Sequence, residues 1–450
     1  MKLFGTDGIR GRAGEFPLNA ESVVTIGQAI AERLGGPVLV GQDTRVSSPW
    51  IFDLLKQGFA RSGKAHGAPP ATIETAGVIP TPAVALLTRM HPFAGGVMIS
   101  ASHNPFEDNG IKVFSSDGTK LNDTTESEIE QRIHALLPAG VEAVVNSIPE
   151  IAISKESVGR WLESYSELLL SHFPSGQWLS GLRIVADCAN GAMSVVAPEL
   201  LRQLGADVRV ICGDPSGKNI NLNCGAVHLE TLATAMKEET ADFGVAFDGD
   251  GDRSLFVSQR GKHVDGDAVL LVMARRFKPS TVVGTSMTNY ALEKVLRAEG
   301  IALTRVGVGD RYIFEEMRRS GAAIGGEPSG HIIFSDFRLS GDGLLTTLKL
   351  AETMVAAKKS MDDLTQDWIP APQLLKGVPV SRRVPIEELP ALQAVMRDAG
   401  AELKHCGRLV VRYSGTEPLL RVMIESDDAK RNDEWMNRLL DAIGKDIPKK

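Results

Sequence analysis

At 450 residues, 43% of them hydrophobic and 23% charged, the chain is too long for a single hydrophobic core and too apolar to be disordered over most of its length. A net charge of −7 argues against a general nucleic-acid binder, because affinity for a phosphate backbone needs a basic surface, and leaves room only for local basic pockets. No stretch approaches the roughly 20 uncharged apolar residues of a membrane span, and Met1-Lys2-Leu3-Phe4-Gly5-Thr6-Asp7 has no apolar signal segment, so a cytoplasmic protein without membrane or nucleic-acid partners is expected.

Asn19 can cap a helix whose apolar residues Val23, Ile26, Ile30 and Leu34 recur at spacings of three and four. Pro37-Val38-Leu39-Val40 reads as a buried strand ending at the polar cluster Asp43-Thr44-Arg45. A second strand, Gly96-Val97-Met98-Ile99, ends at Ser100-Ala101-Ser102-His103-Asn104-Pro105; polar groups thus follow strand ends, as open α/β sheets arrange them. Ser102 makes a poor Ser-His catalytic pair, because adjacent side chains seldom face each other and no third orienting group is visible. It makes a better phosphate carrier, since a phosphoserine brings about −1.5 to −2 charge and strong acceptor oxygens; the alternative is a turn serine bonded to its own backbone. In Asp108-Asn109-Gly110-Ile111-Lys112 the Asn-Gly pair predicts a turn that folds Lys112 back toward the serine, where it could neutralise charge or move a proton. Arg10, between Ile9 and Gly11, and Arg253 are, taken singly, more often surface residues than phosphate clamps.

The pattern restarts near residue 180, with strand Leu182-Arg183-Ile184-Val185, a helix carrying Val195, Val196, Leu200 and Leu204, and strand Asp207-Val208-Arg209-Val210-Ile211. The apolar run Phe243-Gly244-Val245-Ala246-Phe247 leads into Asp248-Gly249-Asp250-Gly251-Asp252-Arg253. Two carboxylates about 4 Å apart repel by roughly 4 kcal/mol at an effective dielectric near 20, so three such pairs cost on the order of 12 kcal/mol and require a cation. A hard divalent ion with oxygen ligands fits, and magnesium keeps positions open for a phosphate oxygen. A calcium hand fails, because Arg253 stands where that loop needs Gly and Gln259 where it needs Glu.

A third unit begins around Asp265, with strand Thr281-Val282-Val283-Gly284 and the loop Gly325-Gly326-Glu327-Pro328-Ser329-Gly330-His331, whose Glu327, Ser329 and His331 offer the acceptors and donors that sugar hydroxyls need. Pro370-Ala371-Pro372 marks a linker and a proposed hinge. In the last unit Arg412, Ser414, Gly415 and Thr416 combine a bidentate cation, two hydroxyls and a flexible backbone, as gripping a phosphate dianion requires; an ordinary polar hairpin is the alternative. Gly213-Asp214-Pro215-Ser216-Gly217-Lys218-Asn219 is too short between its glycines for a P-loop. Cys188, Cys212, Cys224 and Cys406 are scattered singly, without zinc-type spacing, and read as reduced thiols.

Taken together and in this order, the Ser-Ala-Ser-His-Asn-Pro, Asp-Gly-Asp-Gly-Asp-Arg, Gly-Glu-Pro-Ser-Gly-His and Arg-Tyr-Ser-Gly-Thr segments resemble those of the α-D-phosphohexomutase superfamily. The opening Phe4-Gly5-Thr6-Asp7-Gly8-Ile9-Arg10-Gly11 and the tail Ser414-Gly415-Thr416-Glu417-Pro418-Leu419-Leu420-Arg421 are similar to its bacterial phosphoglucosamine mutase branch. Pro328 and Tyr413 depart from residues common in that pattern, which puts fine specificity in doubt more than the reaction. The resemblance implies an α/β protein of four domains around a central cleft: three mixed-sheet α/β domains at 1–155, 156–255 and 256–369, and a smaller α+β domain at 370–450.

It further implies a phosphorylated Ser102 that exchanges its phosphoryl group with glucosamine 6-phosphate through a bisphosphorylated sugar. One magnesium ion per subunit would be held by Asp248, Asp250, Asp252 and an oxygen on Ser102. Lys112 would be a general acid/base candidate, Arg10 and Arg253 would support the reacting phosphate, and His331 would stand near the reaction as well as beside the sugar. Glu327 and Ser329 would bind the sugar, and Arg412, Ser414, Gly415 and Thr416 the phosphate that is not reacting. A homodimer is compatible with the resemblance. The rivals are a phosphomannomutase or phosphoglucomutase with the same machinery, a sugar phosphatase using Asp248 as nucleophile, and a non-catalytic sugar-phosphate sensor.

Overall fold

A computed structural model describes residues 2–5, 7–63, 71–149, 159–337, 340–414 and 419–447. The first unit is built on a six-stranded sheet in the order Phe4–Gly5, Gly8–Arg12, Asp108–Ser115, Gly95–Ile99, Val38–Gln42, Ile73–Val78. Asn19 caps helix Ala20–Leu34 as expected, its side-chain oxygen accepting from the Ser22 N–H at 3.1 Å. This helix lies so close to helix Ser48–Ser62 that a Cβ on Gly58 would stand 2.2 Å from the Val24 carbonyl oxygen, so only glycine fits there.

Asn109-Gly110 is not a turn. Both residues lie inside strand Asp108–Ser115, with Gly110 paired to Arg10 and Asn109 to Gly11. The buried Asn109 amide donates to the Ser47 and Ser48 hydroxyls at 2.8 and 3.1 Å, and pairing on both sides of the strand outweighs the local turn preference. Lys112 reaches the interior by strand alternation, opposite Met98.

The second sheet has the order His263–Val264, Ser254–Ser258, Phe243–Phe247, Arg183–Asp187, Asp207–Ile211. It runs past residue 255, where the sequence reading places a boundary, because the aspartate loop turns the chain back antiparallel onto Phe243–Phe247. The predicted helix through Val195–Leu204 is split into a 3-10 turn, Ala192–Val195, and helix Ala197–Gln203, with Pro198 in its first turn.

The third unit holds a four-stranded sheet, Ala302–Val306, Thr281–Thr285, Ile324–Gly326, Ile332–Phe334, with helix Gly266–Phe277 capped by Asp265. The fourth is a three-stranded antiparallel sheet, Gln373–Pro379, Leu419–Ser426, Gly407–Tyr413, carrying helices Pro390–Leu403 and Ala429–Asp446.

One apolar core runs from Leu39 and Phe93 in the first unit through Trp161 and Tyr165 on helix Gly159–Leu170 to Phe243, Phe334 and Leu344. The fourth unit has a core of its own around Leu420, Ile424, Trp435 and Leu439. Polar contacts join it to the third: Asn289 brackets the backbone of Ala371 with bonds of 2.9 and 3.1 Å, and Arg408 donates to the Ser286 and Thr288 carbonyls at 2.8 and 2.6 Å. Among the described residues no helix is long and apolar enough to cross a membrane.

Candidate active site

Ser102 follows the buried strand Gly95–Ile99 and is itself fully buried, with φ at +55° in the left-handed region that a residue with a Cβ rarely adopts. Its surroundings hold it there. The Ser102 N–H donates to the Ser100 hydroxyl at 2.9 Å, and the Ser102 carbonyl accepts from Arg45 Nη2 and Asn221 Nδ2, each at 2.9 Å. Arg45 is fully buried against Asp43 at 2.9 Å and also donates to the carbonyls of Asn104 at 2.9 Å, Asp108 at 3.0 Å and Pro105. The rigid guanidinium fork thus ties the whole serine loop to one ion pair.

The Ser102 hydroxyl donates to Asp248 Oδ2 at 2.6 Å. Asp248, Asp250 and Asp252 are all buried, and one oxygen of each lies within 4.8 Å of the others. Burial, then Asp252 and Asp250, pushes the Asp248 carboxyl well above its ordinary value. Asp250 Oδ1 and Asp252 Oδ1 are buried without any hydrogen-bond partner. Unpartnered carboxylate oxygens grouped beside a serine hydroxyl fit a hard divalent cation, and an all-oxygen donor set suits magnesium.

Lys112 supplies the local positive charge. Its Nζ stands 2.7 Å from Asp250 Oδ2, 3.0 Å from Asp7 Oδ2 and 3.6 Å from Asp252 Oδ2. Against the cost of burial, Asp250, Asp7 and Asp252 drive its ammonium pKa upward, so in this arrangement it keeps its proton. Asp7, half-buried, is held well below the usual carboxylate range, against desolvation, by Lys112, Lys120 and Arg10. Arg10 pairs with Asp7 and donates to the Ala101 carbonyl at 3.4 Å, which places it next to the serine loop.

Arg253 closes the other side. Its N–H donates to Asp248 Oδ1 at 3.2 Å, its guanidinium lies 3.7 Å from Asp252 Oδ1, and Nη1 donates to His103 Nδ1 at 3.3 Å. His103 Nδ1 is also 3.3 Å from the Ser102 hydroxyl, so the adjacent side chains do face each other. Burial, then Arg253 and Arg10, lowers the His103 pKa to about 4, leaving a neutral ring that accepts from Arg253. The serine's short donation nevertheless goes to Asp248.

His331 comes in from the third unit, its Nδ1 3.7 Å from Asp252 Oδ2. Asp252, Asp310 and Glu327 raise its pKa against burial, while the Gly341 N–H donating to Nε2 at 2.9 Å favours the neutral form with its proton on Nδ1, toward Asp252. Glu327 accepts from the Gly309 N–H at 3.1 Å and from the Ser329 hydroxyl at 3.4 Å, so two of the three loop residues are oriented on each other. Lys120 bridges Asp7 of the first unit to Asp310 of the third.

Three units therefore meet at Ser102. Arg412 and Ser414 lie apart on the fourth, Arg412 across the sheet from Arg421 and Ser414 with its carbonyl accepting from Arg383 at 2.7 Å. Gly415 and Thr416 lie outside the described residues. Asp7, Asp43, Arg45 and Asn221 are site residues that motif reading did not single out; the signal for Arg45 was the polar cluster at the end of a buried strand.

Four families cover this architecture: "Phosphoglucomutase/phosphomannomutase, alpha/beta/alpha" domain I matches residues 1–138, domain II 163–261, domain III 265–371, and the C-terminal domain 375–442. A phosphoglucosamine mutase of Solibacter usitatus is 45% identical, covering 99% of each chain, and one of Myxococcus xanthus is 40% identical over 99% of this chain and 97% of its own. The chain belongs to the phosphohexomutase family, among the phosphoglucosamine mutases. Its phosphohexomutase fold recurs in a phosphoglucomutase/phosphomannomutase family protein of Burkholderia thailandensis, with TM-score 0.80 at 21% identity over 99% of this chain and 98% of that one. It recurs also in the N-acetylphosphoglucosamine mutase of Aspergillus fumigatus, solved with GlcNAc-6P and magnesium, with TM-score 0.62 at 18% identity over 98% and 95% of the two chains.

Proposed function

We propose that the chain interconverts glucosamine 6-phosphate and glucosamine 1-phosphate, with Ser102 as the phosphoryl carrier. The observation that carries this reading is the 2.6 Å contact between the Ser102 hydroxyl and Asp248 of the buried aspartate group. In the first half-reaction the bond between phosphorus and the Ser102 oxygen breaks while a bond forms to the free sugar hydroxyl, which gives up its proton as Ser102 regains one. The second half-reaction runs the same exchange backward at the other end of the sugar, so each turnover restores the phosphoserine.

Asp248, Asp250 and Asp252, with an oxygen on Ser102, would hold magnesium. When bound, that ion withdraws charge from the transferring phosphoryl group. Arg10, bonded to the Ala101 carbonyl, and Arg253, bonded to His103, would balance the phosphate's remaining charge. Lys112, the general acid/base candidate, is held charged among Asp250, Asp7 and Asp252, so on this reading its first role is to neutralise negative charge beside the transferring phosphate. His331, with its proton directed at Asp252, and the paired Glu327 and Ser329 face the sugar. Arg412, Ser414, Gly415 and Thr416 hold the distal phosphate, with Pro370-Ala371-Pro372 the hinge that brings them over the cleft.

Rates on the 6-phosphates of glucosamine, glucose and mannose, measured for wild type and Ser102→Ala, test the proposal. Preference for glucosamine and loss of all mutase activity in Ser102→Ala are expected. Equal rates on the three sugars would remove the substrate assignment. Phosphatase activity surviving in Ser102→Ala would move the chemistry to Asp248.

A further inference from the structure

Two cysteines that look isolated along the chain are brought together in the second unit. Strands Arg183–Asp187 and Asp207–Ile211 are parallel, with Asp187 paired to Ile211, so Asp187 and Cys212 leave the same sheet edge side by side. The Gly225 N–H donates to Asp187 Oδ2 at 2.8 Å and thereby carries Cys224 to the same point. One donor atom from each of Asp187, Cys212 and Cys224 lies within 4.8 Å of the others.

We propose that Asp187, Cys212 and Cys224 form a binding site for a thiophilic divalent cation of the zinc class, built from residues other than the magnesium-type aspartates. The donor set decides the class: two sulfurs and one carboxylate oxygen suit zinc and its analogues, whereas magnesium demands oxygen. Charge points the same way. Asp187 is fully buried, and among the described residues neither Lys nor Arg pairs with it; backbone N–H groups of Ala189 and Gly225 are its partners, and burial pushes its pKa up to about 6. A buried carboxylate without a cation is costly. The Cys212 thiol is shifted down through its hydrogen bond with Cys224, against burial, while that same bond and burial push Cys224 up, so without a metal the pair shares a proton that binding would displace. Cys212 is half-buried, which leaves a route for entry, and it keeps a left-handed φ of +47°, a conformation the local chain would not choose unaided.

Occupancy would tie both ends of the loop 213–223. That loop carries Asn221, whose amide donates to the Ser102 and Asn104 carbonyls at 2.9 and 3.0 Å, and Gly217, whose carbonyl accepts from the Val46 N–H at 3.0 Å. Cation binding here would therefore steady the serine loop from behind. Protons leaving the two thiols go to solvent.

The test is a cobalt(II) titration of the whole protein, reduced, with magnesium saturating the aspartates. A thiolate-to-cobalt charge-transfer band saturating at one equivalent, with proton release, is expected. Affinity should fall in Asp187→Asn by at least the roughly 10- to 100-fold that loss of an outer-shell partner costs, since Asp187 is itself a ligand. The band should vanish in Cys212→Ser and Cys224→Ser and persist in Cys406→Ser and Asp250→Asn. Should the cysteine variants fail to fold by circular dichroism, the wild-type and Asp187→Asn titrations decide alone. Absence of the band, a band that survives loss of both cysteines, one that needs Asp250, or a pair that only oxidises to a disulfide with peroxide overturns the proposal.

Discussion

Lys112 Nζ lies 2.7 Å from Asp250 Oδ2, joining side chains 138 residues apart in sequence at the centre of the aspartate group. The lysine therefore does in part what a metal ion would do: it holds together carboxylates that repel one another. Removing a single partner from a buried ion pair typically costs about 3–5 kcal/mol, because the other charge stays behind. Lys112→Met should lower the thermal midpoint of metal-free protein markedly, and magnesium should restore part of the loss by mass action. Melting curves with chelator and with saturating magnesium provide the check; an unchanged metal-free midpoint would show that the aspartates are held by something else.

His103 makes stability depend on pH. Its pKa is lowered from 6.5 to about 4, so between those values the unfolded chain binds a proton that the folded chain refuses. Stability contributed by neutral His103 is complete above pH 6.5 and is lost as pH falls toward 4, reaching about 2 kcal/mol of loss near pH 5 at 1.36 kcal/mol per pH unit. Asp187 and Asp342, both raised to about 6, act in the opposite sense, since stability from a carboxyl with a raised pKa is lost as pH rises. The difference between wild type and His103→Asn isolates the histidine. Denaturant unfolding at pH 5 and pH 7 should give a smaller drop on acidification for the variant.

Arg45 acts on Ser102 through the backbone, and it is a positioning residue. In Arg45→Lys the charge beside Asp43 remains, but a single ammonium cannot reach the carbonyls of Ser102, Asn104 and Asp108 that the fork spans. We expect kcat to fall at least about tenfold with KM nearly unchanged, since a misplacement of about 1 Å can cost two orders of magnitude in rate. An equal fall in affinity and turnover would instead mean that Arg45 reports on general folding.

Asn289 clamps the backbone of Ala371 through both its amide nitrogen and its oxygen. Asn289→Ala should leave the first three units intact, because they share a core that the fourth does not enter. Limited proteolysis should then cut faster near residues 370–372, and KM for the sugar phosphate should rise more than kcat falls. An unaltered digestion pattern with unaltered KM would place the hinge elsewhere.

Local signals were legible in the sequence because their physics is local. Asn19 capping its helix, the buried strands ending at polar loops, and the carboxylate triplet after Phe243–Phe247 all appear where residue pattern places them. The Asn109-Gly110 turn failed for the same reason: turn preference is a local term, and two strand neighbours outweighed it. The sheet edge at Val264 depended on a pairing formed only after the aspartate loop reverses the chain.

From residue order alone came the α/β class, the four loops, the family, and the demand of three neighbouring aspartates for a cation. Tertiary structure alone decided which side chains meet: Lys112 between Asp7 and the aspartates, Arg45 behind Ser102, and Cys212 beside Cys224. The reason is that periodicity and turn chemistry act over a few residues, whereas these partners are far apart along the chain and come within reach only once the sheets have packed.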